Sequence, residues 1–131
     1  MATNGKGSFT VTSWNEDRYV DIEGDRGLSQ ADVTQDFTGT IEGEGSVRWL
    51  MSYRPDGTAD WVGYQHIVGR LGDRTGSFVL RSTGTFDGTT AAGDWAVVPD
   101  SGTGELAGLR GTGRMEAPMG SEATYTLEYE L

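Results

Sequence analysis

One histidine, one lysine and no cysteine stand among the 131 residues, and this shortage decides most of what the chain can do chemically. A zinc site draws three or four ligands from Cys, His and carboxylates, so a structural or His-rich zinc centre is excluded. Schiff-base chemistry would fall to Lys6, in a polar, Gly-rich N-terminus. A Ser–His–acid triad would need His66, and no Gly-x-Ser-x-Gly elbow accompanies it. Alternation along its run puts His66 on the opposite face from Trp61 and Gln65, which reads as an outward histidine.

Carboxylates offer little more. Asp21, Glu23 and Asp25 suggest a calcium loop, but Arg26 occupies the sixth position, where such a loop needs Gly. Glu42 and Glu44 share one face of a strand, and alternation points that face outward. Glu105 either sits at a barrel mouth or caps a turn. The run Gly102–Ala107 matches the dinucleotide fingerprint in letters only, because no βαβ unit surrounds it. The expectation is a protein without metal or cofactor.

The most informative set is aromatic: Trp49, Tyr53, Trp61, Trp95, Tyr125 and Tyr129. It has two readings. The rings fill a core, or they wall an apolar pocket in which tyrosine hydroxyls and Gln65 orient a ligand. Met51 and Ser82 share the same inward parity. The candidate catalytic residues are therefore Gln65 and Tyr53. The candidate ligand-binding residues are Trp49, Met51, Trp61, Ser82, Trp95, Tyr125 and Tyr129.

The elements that must position these residues are strands. Period-two alternation predicts them over Ser8–Asn15, Ser29–Phe37, Thr40–Tyr53, Thr58–Leu71, Arg74–Phe86, Thr89–Val98, Arg110–Ala117 and Ala123–Leu131. Asp56-Gly57, Gly72-Asp73 and Asp87-Gly88 read as hairpin turns. Tyr19–Leu28 reads as a charged loop and Thr103–Leu109 as a short helix capping one barrel end. Parity puts Phe9, Val11, Val33, Phe37, Ile67 and Val97 with the aromatics on the inner face, interrupted by Ser13, Gln35, Gln65 and Ser82. Consecutive hairpins favour a meander that closes on itself.

Length predicts a single domain over 1–131. Leu, Ile, Val and Phe make up under a fifth of the chain, a disorder signal that the 13 aromatics and the alternation oppose. A net charge of −10 repels phosphate backbones and anionic lipid, so neither nucleic acid nor membrane is an expected partner. No apolar leader is visible in Met1–Phe9, and the cytoplasm is the expected location. The expected partner is a small hydrophobic metabolite. A homodimer is left open.

Three stretches carry a family resemblance: Gly39-Thr40-Ile41-Glu42-Gly43-Glu44-Gly45, then Gly63 and Gly69 followed by Gly76-Ser77-Phe78-Val79-Leu80, then the tail Trp95 to Gly111 with its Ser101-Gly102-Thr103-Gly104-Glu105-Leu106 core. Together they resemble a family of small bacterial proteins of unknown function related in fold to allene oxide cyclase. The resemblance spans about Gly7 to Leu131. It implies an all-β, closed eight-stranded antiparallel barrel, allene-oxide-cyclase-like or lipocalin-like, with a lumenal cavity. It also implies cyclase or isomerase chemistry that works by folding a reactive substrate inside an apolar pocket. Relatives often carry Glu where Gln65 stands and His where Ser82 stands. Gln65 cannot transfer protons as an acid or base, so the expected function is templated cyclisation or isomerisation of a small hydrophobic metabolite. The alternative is a non-catalytic binder.

Overall fold

Alternating apolar residues need a second wall to face, and here the sheet supplies it by curling onto itself. The computed structural model describes Ala2–Gly24 and Arg26–Leu131. Its strands are β1 (Thr3–Ile22), β2 (Arg26–Gly39), β3 (Ile41–Tyr53), β4 (Ala59–Leu71), β5 (Arg74–Phe86), β6 (Thr90–Val97), the two-residue β7 (Thr103–Gly104), β8 (Arg110–Pro118) and β9 (Ala123–Glu130). All pairings are antiparallel, and β1-β2-β3-β4-β5-β6-β8-β9 closes back on β1. β7 adds a short pairing to β5 at Gly76 and Ser77. The expected closed barrel of eight antiparallel strands is the fold.

The hairpins follow their turn residues. Asp56 accepts from the Thr58 backbone N–H at 3.0 Å, and Gly57 takes the positive φ of 86° that an L side chain resists. Asp87 likewise accepts from the N–H groups of Thr89 and Thr90, at 2.9 and 2.8 Å.

Two expectations on the chain path are corrected. Among the described residues there is no helix, so the cap expected over Thr103–Leu109 is absent. Thr103 and Gly104 pair with β5, and Gly104 and Gly108 hold φ values of 61° and 87°, which an α-helix cannot continue through. The segment still closes the end. Three tight turns press Leu106 and Leu109 into the lumen, 0% and 1% exposed. The loop expected over Tyr19–Leu28 is also mostly strand. β1 runs to Ile22 and β2 begins at Arg26, with Asp25 of the proposed calcium set outside the described residues. Long polar side chains are tolerated there because that stretch is solvated on one side.

β1 is anchored to β9 only from Thr3 to Phe9, while its pairing with β2 continues to Ile22. Thr10–Ile22 is therefore the free edge of a sheet that continues through β2 and β3, because Gly27–Phe37 of β2 pairs with Gly43–Tyr53 of β3 over the same stretch. Register shifts at Val11/Ser13 and Arg18/Val20 break it, and such bulges discourage edge-to-edge pairing. The first shift also changes parity. Val11 faces the lumen side but is 50% exposed, because no strand lies opposite. Beyond the shift Trp14, Glu16 and Arg18 take up the inner face, opposite Val33, Ala31 and Ser29, and Ser13 is exposed. Ser13 was expected inside.

Two cores result. The larger fills the lower barrel, with Phe9, Phe37, Ile41, Ile67, Leu71, Phe78, Leu80, Trp95, Tyr125 and Leu127 around the Leu106–Leu109 plug. The smaller lines the upper wall with Ala31, Val33, Val47, Trp49 and Met51. Trp61 packs against both. Large rings lie over inward glycines of neighbouring strands. A Cβ on Gly63 would meet the Trp49 ring at 2.7 Å, and one on Gly93 the Trp61 ring at 3.0 Å. The abundant glycine thus makes room for aromatics that the circumference could not otherwise hold. Outside, Arg48–Asp32 (2.8 Å), Arg54–Asp60 (2.6 Å), Arg114–Asp94 (3.1 Å) and Arg70–Glu42 pair across strands. The same outer face also exposes Leu50, Val62, Tyr64 and Val68. No helix among the described residues is long and apolar enough to cross a membrane.

Candidate functional site in the upper lumen

A single row of paired residues runs round the barrel: Glu16, Ala31, Trp49, Gly63, Ser82, Trp95, Gly113, Leu127 and back to β1 at Gly5. On β4, Trp61 and Gln65 flank Gly63 on the lumenal face. The sequence-predicted residues Trp49, Trp61, Gln65, Ser82 and Trp95 are thus neighbours on β3 to β6. Met51 stands opposite Trp61. Trp49 meets Trp61 edge-on, with ring centres 6.0 Å apart.

Among the described residues, four buried atoms of this set have no hydrogen-bond partner: Trp61 Nε1, Gln65 Oε1, Ser82 Oγ and Trp95 Nε1. Gln65, Ser82 and Trp95 are 1%, 0% and 2% exposed. A buried polar group without a partner costs on the order of 1–3 kcal/mol, so four on one patch form a concentrated deficit. The Gln65 amide N–H donates to Gln35 Oε1, so a buried amide pair forms the lower edge of the patch.

Tyr53 ends β3 opposite Gly27 of β2, at the mouth beside the free edge of β1. Its hydroxyl donates to Glu16 Oε2 at 2.8 Å and lies 3.7 Å from Met51 Sδ. Burial first, and then the Glu16 carboxylate, push its phenol pKa up to about 12, against a smaller opposing effect of Arg18. Glu16 also accepts from Ser29 Oγ at 2.8 Å and from Trp14 Nε1 at 3.1 Å. The Arg18 guanidinium lies 5.7 Å from the Tyr53 ring centre. Glu16 was missed from the sequence, because it becomes lumenal only through the bulge.

Tyr125 borders this patch at the Trp95 ring, while Tyr129 sits apart from it. The Tyr125 hydroxyl donates to the Thr38 carbonyl at 2.8 Å and accepts from the Ile41 N–H at 2.9 Å, pinning the β2–β3 turn. Its ring stacks on Trp95 at 5.4 Å in the packed lower core. Tyr129 lies near the closed end, beside Gly72. His66, Glu42 and Glu44 face outward as parity predicts. Glu105 accepts from the Thr75 N–H at 3.0 Å and serves the loop that carries the plug. Among the described residues no group of three metal-binding side chains occurs.

A separate concavity lies on the outer face, a groove of about 1040 Å³ walled by Lys6, Arg81, Asp94, Arg114, Thr126 and Glu128. It is an open saddle between solvated side chains, whereas the unpartnered buried atoms are all lumenal.

An eight-stranded closed barrel with aromatic rings seated on glycines, plugged at one end, defines the class of protein. Residues 5–129 match the family described as a protein of unknown function, DUF3224, and the chain belongs to that family. A crystal structure of a DUF3224 protein of unknown function from Shewanella oneidensis is similar, with a TM-score of 0.85 and 27% identity over 100% of this chain and 98% of that one. No curated protein matches the chain.

Proposed function

We propose that the upper lumen binds a small, mostly apolar metabolite and folds it toward cyclisation or isomerisation by shape. The single observation that carries this reading is the patch of unpartnered polar atoms on Trp61, Gln65, Ser82 and Trp95, beside the apolar wall of Trp49 and Met51. Small-molecule sites combine an apolar lining with a few convergent polar groups, and this patch has that composition. The expected likeness to allene oxide cyclase belongs to the same proposal. Templating can contribute several kcal/mol without strong acids or bases, which suits a patch of amide, hydroxyl and indole groups.

A non-catalytic binder is the second reading. It is favoured by Tyr53, the phenol at the mouth, whose pKa of about 12 keeps its proton in place near neutral pH.

Native mass spectrometry of protein purified from its own host tests the proposal. A co-purified small molecule is the expected result, and its conversion on incubation with the protein separates enzyme from binder. A mass with no adduct, unchanged after incubation with host extract, would count against both.

A further inference from the structure

The four unpartnered atoms also constrain what the ligand looks like, and this step rests on the lumenal-binding reading above. Two are indole N–H groups, which only donate, and one is a serine hydroxyl, which does both. The fourth belongs to an amide whose pairing partner, Gln35, is also an amide. A concerted flip of Gln65 and Gln35 would present either C=O or NH2 to the lumen while keeping their mutual hydrogen bond. None of the four is charged.

The charged side chains on the inner face, Glu16 and Arg18, both belong to β1 at the mouth, and the Glu16 carboxylate is already engaged by Tyr53, Ser29 and Trp14. From β2 round to β9, the inward residues at and beside this row are Ala31, Val33, Trp49, Met51, Gly63, Leu80, Gly84, Gly93, Gly113, Met115 and Leu127. Arg48, Arg54, Arg70 and Arg114 are engaged outside with Asp32, Asp60, Glu42 and Asp94. Arg18 stands at the mouth over Tyr53 and pairs with Asp21 at 3.5 Å. An anionic headgroup would reach this patch without a counter-cation, and a cation would meet two N–H groups. Burying either would be costly.

We infer that the lumen of this barrel takes a flat, apolar molecule bearing an uncharged oxygen, a hydroxyl or carbonyl, which accepts from the indole N–H groups of Trp61 and Trp95 and, when it is a hydroxyl, donates to Ser82 Oγ or Gln65 Oε1. The aromatic lining supplied by Trp49, Trp61 and Trp95 favours a planar body. The oxygen seats against β4, β5 and β6, and the apolar body lies along Trp49 and Met51.

The test uses four probes of one shape on the full-length ¹⁵N-labelled protein: naphthalene, 1-naphthol, 1-naphthoate and 1-naphthylmethylammonium. Indole N–H resonances report contact, and titration gives affinity. Naphthol is expected to bind about tenfold more tightly than naphthalene and than either ion, in line with one or two net hydrogen bonds, and to shift the Trp61 and Trp95 indole signals. Ser82→Ala and Trp95→Phe should each lower the ratio of naphthol to naphthalene affinity, and a dispersed amide spectrum of each variant shows that it folds. Equal affinity for naphthol and naphthalene, or tightest binding of an ion, would overturn this inference and leave lumenal binding standing. Indole signals that none of the four probes moves would overturn both.

Discussion

The Tyr53 hydroxyl donates to the Glu16 carboxylate at 2.8 Å, joining the end of β3 to a strand 37 residues earlier in the chain. The contact exists because β1 stays paired with β2 as far as the level of Tyr53 and a bulge turns Glu16 to the inner face. Ser29 and Trp14 donate to the same carboxylate, so Glu16 ties three strands at the open mouth.

Tyr53 should therefore be the last tyrosine to ionise. Its folded pKa of about 12 lies above the ordinary 10.0. A raised pKa means that its contribution to stability is complete below pH 10 and is lost as pH rises through 12. Ultraviolet titration of phenolate should show one transition near 12, absent in Tyr53→Phe. In Glu16→Gln that transition should fall but stay above 10, because burial remains the larger cause. An unshifted midpoint in Glu16→Gln would dissociate the pair.

Glycines at two kinds of position should respond differently to alanine. At Gly63 a Cβ would lie 2.7 Å from the Trp49 ring and 2.7 Å from the Arg48 carbonyl. Gly63→Ala is overpacking and should cost about 1–3 kcal/mol in urea unfolding. At Gly57 a Cβ meets nothing within 4 Å, and only the φ of 86° resists it. Gly57→Ala should cost about 1 kcal/mol. The reverse order would mean that the rings are not seated on the glycines.

The Gln35–Gln65 amide pair can be tested by a double-mutant cycle. Gln65→Leu leaves Gln35 without its buried donor and should destabilise by about 1–3 kcal/mol, whereas replacing both by Leu should recover much of the loss. Additive losses would show that the two side chains act independently.

Trp95 and Trp61 differ in what surrounds them. Trp95 is 2% exposed and packs with Phe9, Phe37 and Tyr125, so Trp95→Ala should cost about 3–5 kcal/mol. Trp61 is only half-buried and borders the mouth, so Trp61→Ala should cost less stability and more ligand affinity. Thermal unfolding and probe titration of both variants separate the two roles.

The inward and outward faces of β3, β4, β5, β6 and β9 were legible in the chain itself. Val47, Trp49, Met51, Ile67, Leu80, Ser82, Trp95 and Leu127 are buried as alternation predicts, and His66 is outside. The hairpin turns at Asp56-Gly57 and Asp87-Gly88 were equally plain. These are local properties: side-chain direction repeats every two residues, and turn chemistry sits within four. The capping helix suggested by the lead-in Asp100-Ser101-Gly102 and the stop near Gly111 does not form, because pairing of Thr103 and Gly104 with β5 imposes another path. The extent of β1, the inward turn of Glu16 and the separation of Tyr129 from the lumenal patch were settled only by the tertiary structure. Each depends on height within the barrel, and height accumulates from eight pairing registers and a bulge. Carried once round, these return the row of Glu16 to Gly5, a displacement that no single segment of the sequence encodes.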